Sequence, residues 1–174
     1  QIARWTRQYR DANPPDNAAM SALIPWLETH VPPEQPVAIV HGDFRIDNLV
    51  LHPTEPRVLA VLDWELSTLG DPLTDLAYFC MPYHRALACQ DLAALQLPTE
   101  TEVVARYCER RGLAVPDPAT WTFYLAFGLF RMAAILAGVA ARAAQGNASS
   151  ANAAEHARLW PEFAASAWSL AEKS

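Results

Sequence analysis

The sequence predicts an α+β fold that is mainly helical, and three observations carry that prediction. Three short apolar runs, at 37–40, 49–51 and 58–62, are bounded by turn residues and are too short for helices. From Asp71 to the end the apolar residues recur at helical spacing. The first thirty residues show the same helical period before the runs begin. A chain of 174 residues fits one domain with a substantial core.

Taken in order, Ile2, Trp5 and Tyr9 form a helical stripe that Asn13-Pro14-Pro15 stops. Asp16 or Asn17 can cap a second helix whose apolar face is Met20, Leu23, Ile24 and Leu27. Pro32, Pro33 and Pro36 stiffen the connection to Val37–Val40, read as a buried strand that delivers His41 at its end. Leu49–Leu51 and Val58–Leu62 read as two further strands, antiparallel because the turn at Pro53–Pro56 is short. Asp71-Pro72 reads as a cap with Pro at the first helical position, opening a helix to about Met81. Thr101–Arg111 is an amphipathic helix closed by Gly112. Asp117-Pro118 starts a long apolar stretch reaching Ala144, which is long enough to cross a membrane. Arg131 at its middle, and Gly128 and Gly138 among many alanines, favour a buried central helix instead. Gly146–Ser150 is a polar break, and Asn152–Glu172 is a last amphipathic helix built on Trp160, Phe163 and Trp168.

A net charge of −6 offers no electrostatic footprint for nucleic acid or an anionic membrane. Cys80, Cys89 and Cys108 have no CxxC spacing, so neither a disulfide framework nor a zinc site is expected. Free thiols and an opening without a secretory pattern point to a cytoplasmic or matrix-type setting, with the cytoplasm favoured. Gln1 falls directly into a helical pattern, as it would in a cut through a longer chain.

Two of the three strands end in acidic motifs, at Asp43 and Asp63, and Asn48 closes the loop that starts at His41. An Asn and two Asp converging at strand ends suit a hard cation such as Mg²⁺, which takes carboxylate and carbonyl oxygens.

These residues carry a resemblance. His41-Gly42-Asp43…Asn48, Asp63-Trp64-Glu65 and Gly70-Asp71-Pro72…Asp75-Leu76-Ala77 resemble the signature of the aminoglycoside phosphotransferase superfamily, which shares the protein-kinase-like fold. The stretch from His41 to Tyr78, with FYLAFGLFRMAAILAGV and GNASSANAAEH, is most similar to the phosphotransferase domain associated with acyl-CoA dehydrogenases. The resemblance covers residues 1–174 as a C-terminal lobe. It comprises a catalytic loop at 41–48, a metal-binding segment at 63–65 and a helical subdomain at 71–174.

By that resemblance Asp43 is the carboxylate that accepts or orients the substrate hydroxyl proton, and Asn48 and Asp63 hold Mg²⁺ on the phosphates of ATP. Arg45 either meets the transferred phosphate or pairs with Asp47 or Glu65 to fix the loop. His41 is expected to hold the loop rather than act as a base. Glu65 is a further metal or loop ligand, or neither. Asp75, one turn into an apolar helix, needs donors, and the backbone N–H groups of the catalytic loop are the expected ones.

A complete kinase also needs an upper lobe with a phosphate-covering loop and a Lys on the phosphates. The 40 residues before His41 contain no lysine and no glycine-rich loop. An N-terminal nucleotide-binding lobe is therefore expected outside this chain, and this chain alone is expected to be inactive. The surface left open would invite a homodimer. The implied reaction is phosphorylation of a small-molecule hydroxyl, with a hydroxyacyl-CoA favoured. An aminoglycoside or amino-alcohol kinase, and a non-catalytic helical interaction module, are the alternatives.

Overall fold

The computed structural model describes residues 1–33, 36–145 and 155–174. Its contacts divide the chain into two compact units, one formed by residues 1–32 with 118–174 and the other by 33–117. The helical stretch that begins at residue 71 is thus shared between them, dividing at Pro118.

Among the described residues, the regular elements of the first unit are all helical. Helix α1 (Ile2–Asp11) buries Trp5, Thr6 and Tyr9, with Tyr9 four residues after Trp5 and three after Thr6. Helix α2 (Ala18–Thr29) is capped by Asn17, whose side-chain oxygen accepts the Met20 N–H at 3.0 Å. All four residues of its expected stripe, Met20, Leu23, Ile24 and Leu27, are buried. The long apolar segment becomes one helix of 27 residues, Pro118–Ala144. It packs against α1, α2 and the C-terminal helix Trp160–Ala171.

This central helix is long and apolar enough to span a membrane, but most of its apolar window is covered by protein. Arg131 is tolerated at its middle because the guanidinium lies over the Trp5 ring, 5.1 Å from the centroid. In the C-terminal helix the buried line is Trp160, Ala164, Ala167 and Ala171, not the expected Phe163 and Trp168. Small side chains along that line let the two backbones approach closely. The polar break and residues 152–154 of the expected last helix lie outside the described residues. Residues 155–157 are helical, and a turn at 158–159 separates them from Trp160.

Among the described residues the second unit carries four short strands. β1 (Ala38–Val40) pairs antiparallel with β4 (Thr68–Gly70), matching Ile39 with Leu69. β2 (Leu49–Leu51) and β3 (Val58–Val61) form the expected antiparallel hairpin, with an irregularity at Val50/Leu51. The expectation of a fully buried first strand is corrected: Val40 is buried, but Ile39 is 71% exposed. Successive residues of a strand face opposite sides, and only Val40's side is covered.

Helix α3 (Leu73–Cys80) starts where Asp71 accepts the Leu73 N–H at 2.9 Å. Helix α4 (Glu100–Arg111) begins one residue earlier than its pattern implies, because Thr99 and Glu102 form a reciprocal capping box. It ends at Gly112, whose φ of +63° is left-handed and has open space around it. His84 contacts the Glu100 carboxylate at 2.9 Å, and the Tyr83 hydroxyl donates to the Pro98 carbonyl at 2.8 Å. These contacts tie the turn after α3 to the start of α4.

Two predictions follow from the caps and the buried thiols. Thr99→Ala removes the bond its hydroxyl accepts from the Glu102 N–H and the one it donates to the Glu102 carboxylate, and should cost about 1 kcal/mol in urea unfolding; an unchanged midpoint would contradict the cap. Burial, reinforced by the Glu100 carboxylate, pushes the Cys80 thiol up to about 12 from its ordinary 9.0. Burial also raises Cys108 and Tyr9. The unfolded chain loses these protons first, so stability is intact below about pH 9 and falls as the pH rises toward about 12. Unfolding midpoints flat between about pH 8 and about pH 11 would refute this.

Candidate active site

The loop after β1 is held by a carboxylate from α3. Asp75 accepts the backbone N–H groups of His41 at 2.5 Å and of Gly42 at 2.9 Å, one on each oxygen. This is the contact expected of Asp75 from its place on an apolar helix. Two charge-assisted bonds satisfy the carboxylate and fix the loop's first two peptide units.

His41 is 2% exposed and uses both ring nitrogens. Its Nδ1 accepts the Asp43 N–H at 3.2 Å, which leaves the proton on Nε2. Nε2 therefore donates to the Leu62 carbonyl, 2.7 Å away and next to Asp63. The ring packs against Trp64 at 4.7 Å and Phe44 at 5.9 Å, and Phe44 continues to Phe79 at 5.7 Å. His41 is thus a strut between the loop that carries Asp43 and the segment that carries Asp63.

Asn48 is buried, and its Nδ2 donates to the Asp43 carbonyl at 2.8 Å and the Asp43 carboxylate at 3.0 Å. Both neighbours are acceptors, so the amide orientation is fixed and its oxygen points away from Asp43. The Asn48 carbonyl accepts the Leu62 N–H at 2.8 Å, and Leu49 lies opposite Val61 across the hairpin. The β2–β3 hairpin therefore leaves from Asn48 and returns at Asp63, holding both residues at its base.

Arg45 pairs with Asp43 at 3.4 Å and with Asp47 at 3.6 Å. Of the two loop partners expected for it, Asp47 is found; Asp43 is the partner that sequence reasoning missed. Arg45 and Asp47 are exposed and Asp43 is half-buried; pairs to so exposed an arginine are worth little in stability, and their effect is to orient the loop. Asp63 is exposed and left-handed at φ 63°, ψ 55°, a conformation an Asp tolerates better than most residues. Glu65 lies exposed in the short turn Trp64–Leu66 that follows. Trp64 donates its indole N–H to the Val61 carbonyl at 2.8 Å, bracing the same turn.

The donor set fits a hard cation held jointly with phosphate oxygens: the Asn48 amide oxygen and the Asp63 carboxylate. Among the described residues no three His, Cys, Asp or Glu side chains gather into a cation cage. A metal here would depend on oxygens from a ligand, as Mg²⁺ bound with nucleotides does. Apolar side chains are exposed around the same strands, including Val37, Ile39, Leu51, Leu59 and Leu69.

The chain matches the phosphotransferase enzyme family over residues 1–124. It is 46% identical to mouse acyl-CoA dehydrogenase family member 10, over 99% of this chain and 17% of that protein. Chicken acyl-CoA dehydrogenase family member 11 is 43% identical over 91% of this chain and 22% of its own length. The Arabidopsis thaliana protein named probable acyl-CoA dehydrogenase IBR3 is 42% identical over 91% of this chain and 21% of its own. The chain therefore spans about a fifth of the length of these curated relatives. A crystal structure of a provisionally assigned aminoglycoside phosphotransferase from Ralstonia eutropha JMP134 superposes with a TM-score of 0.92 at 46% identity. It is matched over 99% of this chain and 54% of that one.

Asp75→Asn would keep the shape but lose one acceptor, leaving a loop N–H facing an amide donor. The expected cost is about 1–3 kcal/mol in chemical unfolding. Unchanged stability would rule out the anchoring role.

Proposed function

The chain belongs to the phosphotransferase enzyme family, and we propose that it carries the phosphate-acceptor and metal-binding half of a small-molecule kinase. The observation that supports this most is the shared anchoring of Asp43 and Asn48, with Asp63 held at the base of the same hairpin.

The roles follow from the bonds. Asn48 and Arg45 both engage Asp43 through Oδ2, leaving Oδ1 as the oxygen that meets a substrate hydroxyl. Asp43 accepts that proton as the hydroxyl oxygen bonds to the γ-phosphorus of ATP; the bond from that phosphorus to the β,γ-bridging oxygen breaks, and ADP leaves. Such a transfer asks mainly for alignment and charge neutralisation, which one fixed carboxylate and fixed donors supply. Asn48 and Asp63 would hold Mg²⁺, which when bound neutralises charge on the phosphates. Arg45 lies beside the carboxylate and can turn its guanidinium toward a transferred phosphoryl group. His41 and Asp75 hold the loop and touch neither substrate nor phosphate.

The named relatives favour a hydroxyacyl-CoA as acceptor, since they are acyl-CoA dehydrogenase family proteins. The structural neighbour's assignment supports a second acceptor class, an aminoglycoside. The exposed apolar residues on β1–β4 fit a surface covered by a nucleotide-binding lobe in a longer protein.

The test is ATP consumption, in the protein expressed from its complete reading frame, with panels of hydroxyacyl-CoA and aminoglycoside acceptors. Asp43→Ala should lower turnover by about 10²–10⁴-fold, and Asp63→Ala should raise the Mg²⁺ concentration needed. Turnover identical in Asp43→Ala would remove the catalytic assignment.

A further inference from the structure

The geometry points to Gly42 as a positioning residue that sets the spacing between the Asp43 loop and the Asp63 segment, through direct backbone contact with Leu66. This rests on the phosphotransferase reading for its catalytic consequence, though not for the contact itself. Gly42 has a φ of +84°, in the left-handed region. A Cβ placed there would sit 2.5 Å from the Leu66 carbonyl oxygen and 3.1 Å from both its carbonyl carbon and its Cβ. The obstacle is mainly backbone, which cannot swing aside as the end of a side chain can. The loop and the turn after Asp63 are thus too close to admit a Cβ at position 42, and a residue without a side chain leaves them there.

Two further contacts give this seam its leverage. Gly42 donates its N–H to Asp75, so the loop cannot retreat from an inserted methyl without breaking a charge-assisted bond. Three residues before Leu66, Asp63 is linked through Leu62 to both His41 and Asn48. A methyl at Gly42 therefore pushes on the segment bearing one proposed metal ligand, against the loop bearing Asp43 and the other. Shifts of an ångström in such alignments are costly to catalysis. The residue thus acts through others and touches no reacting atom.

Gly112 supplies the control. Its φ of +63° imposes a comparable backbone penalty, yet an added Cβ would meet nothing within 4 Å. Gly42→Ala and Gly112→Ala share the conformational cost and differ in the contact. In the protein from the complete reading frame, Gly42→Ala should lower kcat by about 10–100-fold. It should also raise the Mg²⁺ midpoint for ATP binding in calorimetry, and speed amide exchange at Gly42, Asp43 and Leu62. Gly112→Ala should leave all three near wild type.

If Gly42→Ala matches Gly112→Ala in Mg²⁺ midpoint and exchange, the spacing role is wrong. If the wild type neither binds nor consumes Mg²⁺-ATP while exchange in Gly42→Ala still rises, the contact stands and the phosphotransferase reading fails. Should Gly42→Ala not fold, Leu66→Gly loosens the same seam without inserting an atom. It should raise the Mg²⁺ midpoint and speed exchange at the same amides, and wild-type values for both would equally overturn the proposal.

Discussion

The site depends on one carboxylate. Asp75 stands in the first turn of α3, a helix whose other inward positions are apolar, and it faces two backbone N–H groups at once. Those donors could not be left unpaired without cost, nor could the carboxylate. Each satisfies the other, and the outcome is a loop tied through His41 and Gly42 to a largely buried helix. Everything downstream inherits that placement. His41 reaches Leu62 because its backbone is fixed, and Asn48 can hold the Asp43 carboxylate because the loop returns along a set path.

From that anchor the loop's remaining bonds form a closed set. Asp43 donates its N–H to His41, His41 donates to Leu62, Leu62 donates to Asn48, and Asn48 donates to Asp43. Each donor has an acceptor within the ring, so the neutral tautomer of His41 and the amide orientation of Asn48 are settled together. A site prepared in this way needs little reorganisation when charge moves, which is what phosphoryl transfer requires of a protein. Asp63 is exposed beside this ring, and Asp43 is half-buried within it.

Much of this was readable before any coordinates. Helices α1 and α2 followed from their stripes, because burial of an amphipathic face is written in the sequence at 3.6-residue spacing. The donors to Asp75 were inferable from the cost of a carboxylate among apolar residues. β4 was not, since Thr68–Gly70 is too short and too exposed to show a period. Nor was the exposure of Ile39, because a run of apolar residues does not say which of its two faces is covered. The pairing of Arg45 with Asp43 and the seam between Gly42 and Leu66 depend on how two loops meet. Local sequence carries no record of that beyond a glycine between His41 and Asp43.

The central claim is that this ring of bonds serves transfer of a phosphoryl group to a hydroxyl. Phosphorus NMR of Mg²⁺-ATP with a hydroxyacyl-CoA, in the presence of the complete protein, tests it most directly. The account predicts a new phosphomonoester resonance growing as ADP appears, and its absence with Asp43→Ala. ATP left intact with every hydroxyl acceptor offered, or inorganic phosphate as the sole product, would contradict it.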